Sequence, residues 1–159
     1  MKRSLVLLLL GISTLSGCAT ARLYPVKGPL SSQTPPPVYV ANVKGAFNSG
    51  SITVTLADGE ACTGRWETIH RPKNAKESAA LGTAPTSNMS AEWDTVYGPG
   101  FYVAHVLGAR LYARATLTGA KGTILDVEMY KPNNEENTTT AAIKGVAKDN
   151  QDNTYKLAF

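Results

Sequence analysis

Between Ser51 and Leu56 the side chains alternate without a break, Ile52, Val54 and Leu56 apolar and Ser51, Thr53 and Thr55 hydroxylic. A period of two puts each set on its own face of a strand, and no helix can bury such a pattern. Ala57-Asp58-Gly59 follows, and an extended pattern resumes from Glu60 to Ile69. A two-residue turn on Asp58-Gly59 would oppose Val54 to Thr63 and mix the faces. A three-residue loop with a left-handed Gly59 instead opposes Val54 to Cys62 and Thr53 to Thr63, so the spacing predicts that loop. Arg110 to Thr118 and Thr123 to Tyr130 repeat the pattern around Ala120-Lys121-Gly122. There the three-residue loop opposes Leu117 to Leu125, Ala115 to Val127 and Ala113 to Met129 on an inner face. It also opposes Arg114 to Glu128 and Tyr112 to Tyr130 on a polar, exposed one.

Further strands are expected at Val38–Phe47, Phe101–Leu107, Thr138–Ala147 and Thr154–Phe159. About eight strands at such spacing predict an all-β fold, an antiparallel sandwich or a small barrel. Gly45, Gly50, Gly64 and Gly145 fall in or beside strands, where glycine marks a bulge, a bend or the close approach of a neighbour. Arg71 to Gly100 resists grouping: Asn74–Leu81 fits a short helix and Thr83–Ser90 a loop. Ala91–Tyr97 fits a helical turn or a short strand, stopped by Gly98-Pro99-Gly100.

The N-terminus carries an address. Lys2 and Arg3 precede the apolar run Leu5 to Leu10, and small residues lead to Leu15-Ser16-Gly17-Cys18. The eleven residues from Leu5 to Leu15 fall short of the roughly 20 that span a bilayer, so residues 1–17 read as a signal peptide. All four positions from Leu15 to Cys18 match the lipobox, and the segment resembles that of bacterial lipoproteins. The resemblance implies cleavage before Cys18, acylation of that residue and attachment to a Gram-negative outer membrane, on its periplasmic face by default. Ala19, where an Asp often retains such proteins at the inner membrane, is consistent with that destination.

From Ala19 to Pro37 there are five prolines in nineteen residues, Pro25, Pro29 and Pro35-Pro36-Pro37. Proline disfavours helix and central strand, so residues 18–37 are expected to be a semi-extended tether reaching at most about 60 Å. Residues 38–159 are then the β domain.

Chemistry-bearing residues are few. Without Lys2 and Arg3, fourteen cations face twelve carboxylates, a balance that does not point to nucleic acid. With Cys18 acylated, Cys62 is the remaining thiol, and its register turns it inward beside Val54. No Cys or His spacing forms a metal cage, and no nucleophile elbow, phosphate loop or dinucleotide fingerprint is present. No catalytic, metal-binding or cofactor-binding residue is therefore assigned. His105, with Asp94 or Glu92, is the one candidate acid–base set.

Leu56 to Trp66 is similar to the hairpin unit of MORN repeats, which stack in many copies; this chain has one. The chain also resembles the small envelope lipoproteins of Gram-negative bacteria. Together these features predict a non-enzymatic lipoprotein, held to the membrane through acyl chains on Cys18. Its β domain would bind another envelope protein, a glycan or an apolar ligand. The alternatives are a small periplasmic hydrolase using His105, and an apolar-ligand carrier with an open barrel.

Overall fold

A computed structural model describes residues 17–46, 48–69, 89–107, 109, 111–132 and 142–159. It is a closed barrel of eight antiparallel strands in sequence order. The strands are β1 (Gly17–Lys27), β2 (Tyr39–Ala46), β3 (Ser49–Thr55), β4 (Ala61–Thr68), β5 (Leu111–Thr118), β6 (Ile124–Lys131), β7 (Lys144–Asp149) and β8 (Thr154–Ala158). Of the two architectures open to the sequence, closure selects the barrel: β1 pairs with β2 on one side and, from Arg22 onward, with β8 on the other, so every strand has two neighbours.

Both predicted hairpins form in the predicted register. Val54 opposes Cys62 and Thr53 opposes Thr63; Leu117 opposes Leu125, Arg114 opposes Glu128 and Tyr112 opposes Tyr130. Gly59 and Gly122 close them at φ 80° and 91°, which glycine adopts at little cost. The inner faces supply Leu23, Ile52, Val54, Leu117, Val127 and Leu157, each at most 2% exposed. Small residues let the walls meet: a Cβ on Gly64 would lie 2.2 Å from the Thr116 carbonyl, and one on Gly145 would lie 2.7 Å from Leu157. Close approach is thus the reason for these glycines.

Three expectations are corrected. Residues 18–27 of the expected tether, together with Gly17, are strand β1. Ala21, Leu23 and Pro25 face in and Thr20, Arg22 and Tyr24 face out, an alternation the proline count obscures. Pro25 lies beyond the β2 pairing, which ends at Leu23, and beside a bulge in the β8 pairing, so its missing N–H breaks no regular ladder. A single turn of 3₁₀ helix, Pro29–Ser32, follows. Second, Phe101–Leu107 is helical, with a π-helical turn over Tyr102–Val106; Tyr102 and Val106, four apart, are its buried pair. Third, β7 begins at Lys144, with residues 138–141 of its expected span outside the described set. Ala91–Tyr97 resolves to helix α1 (Ser90–Tyr97), ended by Gly98 at φ 108°. Residues 74–81 and 83–88, given to a helix and a loop, lie outside the described residues.

The outer face of the second hairpin is exposed only toward its loop, at Thr116, Thr118 and Ile124; around Tyr112, Glu128 and Tyr130 it is covered. Helix α1 and the π-helical turn cover it with a second core of Trp93, Tyr102, Val106, Tyr112, Tyr130 and Val146. Glu128, expected on a polar surface, is 2% exposed and accepts the Trp93 Nε1 hydrogen at 2.8 Å.

Candidate functional site

The two ends of the barrel differ in chemistry. The end bearing the three-residue loops is sealed by side-chain hydrogen bonds. Asp149 accepts from the Gln151 and Asn153 amides, the Asn153 side chain and the Tyr155 hydroxyl. Asn153 Oδ1 in turn accepts the Leu30 amide at 2.9 Å, which draws the 3₁₀ turn across the end. Glu60, 5% exposed, accepts the Thr123 hydroxyl at 2.6 Å and the Lys121 amide, joining the two hairpin loops. Lys121 and Asp58 pair at 2.6 Å. These bonds hold the Asp58 and Glu60 carboxyls below their ordinary range, through Lys121 and Thr123 respectively.

The opposite end is open and apolar. A cavity of about 310 Å³ is lined there by the starts of β1, β5 and β7 and the ends of β2, β4, β6 and β8. Trp66, Met129, Ile143 and Phe159 form much of its wall, Gly17, Cys18 and Ala19 one lip, and Lys131 another. The lip exists because β8 pairs with β1 only from Arg22 onward, which leaves Gly17 to Ala21 paired with β2 alone. Trp66 lies across Gly45 and Gly50, where a Cβ on either would come within 2.5 Å of its indole. Its Nε1 donates to the Lys44 carbonyl at 3.0 Å, which fixes the ring at the mouth.

Cys18, the predicted acylation site, is exposed at this lip and opposes Lys44. Cys62 is fully buried in the inner core, where burial and then the nearby Glu60 charge push its thiol pKa up. The acid–base set does not converge. Glu92 pairs with Lys148 at 2.9 Å, and Asp94 accepts the Tyr102 amide at 2.9 Å. His105 is exposed with its ring 4.6 Å from that of Phe101. Among the described residues no three Cys, His, Asp or Glu side chains gather to hold a metal ion, and no helix is long and apolar enough to cross a membrane.

Trp66 and Phe159 escaped the sequence reading as site residues, although a signal existed. Cys62, Gly64 and Trp66 share one face of β4, and a large ring beyond a glycine on an inward face marks a place where the wall opens. Comparison with protein-family models, curated proteins and solved structures finds no match, so function is argued from the chain's own geometry.

Proposed function

We propose that the chain is an envelope lipoprotein, held through acyl chains on Cys18 at the periplasmic face of a Gram-negative outer membrane. Its barrel is a non-enzymatic binding domain whose working surface is the apolar mouth. One observation carries the reading: the cysteine of Leu15-Ser16-Gly17-Cys18 is a lip residue of the apolar cavity, so the lipobox and the unfilled surface meet at one point. The hydrolase reading gains no support, since Glu92 and Asp94 are committed to Lys148 and the Tyr102 amide. The carrier reading is favoured by the cavity itself, which sits at the small end of the range for ligand sites. Mass spectrometry of protein extracted from membranes should find the chain beginning at a lipidated Cys18, and Cys18→Ser should leave it uncleaved or soluble. An unmodified Cys18 would overturn the assignment. A fluorescent fatty acid that binds the Cys18→Ser protein, and is expelled by Trp66→Arg, would establish the carrier reading.

A further inference from the structure

We infer that the open end of the barrel is a membrane-seating surface, so that the domain rests mouth-down on the bilayer that holds Cys18. The inference rests on the lipoprotein reading and adds to it an orientation and a partner, the lipid surface itself. A tether of some twenty residues would let a domain stand off in any attitude, but β1 begins at Gly17 and Cys18 is already paired to β2. No spacer therefore separates the acylated residue from the barrel wall, and the cavity's lip must lie at the headgroups.

What lies around that lip suits the headgroup boundary. The mouth presents Trp66 and Phe159, ring-bearing side chains of the kind that gather at membrane–water interfaces. Beside it, the π-helical turn packs on Tyr112 and Tyr130, two cavity-lining residues, and carries Val103 and Leu107 at 68% and 48% exposure. Four residues apart, these two share a face of the helix and are turned away from the second core. The charges lean the same way. Lys44, Lys131 and Lys144 stand with Glu67 at the strand ends around the mouth, while at the sealed end Asp58, Glu60, Asp149 and Asp152 outnumber Lys27 and Lys121. A rim of net positive charge around an apolar centre is complementary to an anionic lipid surface.

The two tryptophans make the inference measurable, since Trp66 lines the mouth and Trp93 is fully buried. The membrane-extracted protein is reconstituted into vesicles containing phospholipid brominated near the headgroup, and intrinsic emission is compared with unbrominated vesicles. Seating predicts a blue shift and a loss of about half the emission, the Trp66 share, at an insertion depth of roughly 5–10 Å. Trp66→Phe should abolish the loss, and Val103→Asp with Leu107→Asp, both at exposed positions, should reduce it at least twofold. Vesicle-bound protein whose Trp66 is untouched by bromolipid yet open to aqueous acrylamide would overturn the inference and point to a protein or ligand at the mouth. If Cys18 proves unmodified, the lipoprotein reading fails separately. Coupling a maleimide phospholipid to Cys18 then poses the same question, and an unquenched Trp66 in that adduct refutes seating on its own.

Discussion

Asp149 is the side chain on which the sealed end depends. Its Oδ1 accepts the amides of Gln151 and Asn153, each at 2.9 Å. Its Oδ2 accepts Asn153 Nδ2 at 2.9 Å and the Tyr155 hydroxyl at 2.7 Å. Asp149→Ala strands donors on Asn153 and Tyr155, both 1% exposed, where water cannot replace the lost acceptor. At about 1–3 kcal/mol for each buried donor left unpaired, the substitution should cost about 3–5 kcal/mol. That is a large part of the 5–15 kcal/mol typical of a domain. Tyr155→Phe removes one hydroxyl and leaves Oδ2 still bonded to Asn153, so about 1.5 kcal/mol is expected. In the double variant the hydroxyl that Asp149→Ala would have stranded is gone, and the combined cost should fall short of the sum by about 1–2 kcal/mol. Urea unfolding followed by tryptophan emission measures all three. A cost below about 1 kcal/mol for Asp149→Ala, or additivity within about 0.5 kcal/mol, would refute the account of this end as one coupled network.

Cys62, fully buried with its pKa raised chiefly by desolvation, should react with a thiol reagent far more slowly in the native protein than in denaturant; equal rates would place it at the surface. Gly122, at φ 91° with open space around its Cα, isolates backbone strain from crowding. Gly122→Val should cost about 1–3 kcal/mol and Gly122→Asn clearly less, and equal costs in thermal melts would contradict this. The Asp58 and Glu60 carboxyls titrate lower in the folded chain than in the unfolded one. Their contribution is therefore present above their unfolded pKa values of about 4 and disappears as the pH falls through the folded values. Acid titration of stability should show this loss, and Glu60→Gln should shrink it.

The hairpins were legible because each carries two independent constraints, a period of two and a glycine-closed loop, and only one register satisfies both. Strand β1 was not. Of its inward residues, Ala19 and Ala21 are small and Pro25 lacks an N–H, which leaves Leu23 as the one large apolar side chain, so the segment reads as spacer until a neighbouring strand supplies the other wall. Phe101 to Leu107 misled for the opposite reason: a run of apolar and aromatic residues this short fits a strand or a buried helix. What decides it is the covered outer face of β5, β6 and β7, where Tyr112, Tyr130 and Val146 come together only when the strands pair. Glu128 followed the same logic, since its burial depends on Trp93, 35 residues away. Of the candidate site, Cys18 was visible as a motif, whereas the cavity beside it is a product of closure, formed where seven strands end together.

The contrast between the two ends also accounts for how a narrow barrel keeps an apolar surface open without collapsing onto it. Inward side chains pack the middle of the barrel from Leu23 to Leu157, and the hydrogen-bonded loops fix the far end, so the wall cannot flatten to close the mouth. At the mouth the remaining freedom is removed by Trp66, whose ring rests on two glycines and is tied to the Lys44 carbonyl. Replacing Gly50 with even alanine would set a Cβ 1.9 Å from that same carbonyl and 2.5 Å from the indole nitrogen. The strand pair would have to part or the ring swing away. Gly50→Ala should therefore change Trp66 emission and the accessibility of the mouth, while Trp93, on the buried face of helix α1, keeps its own environment.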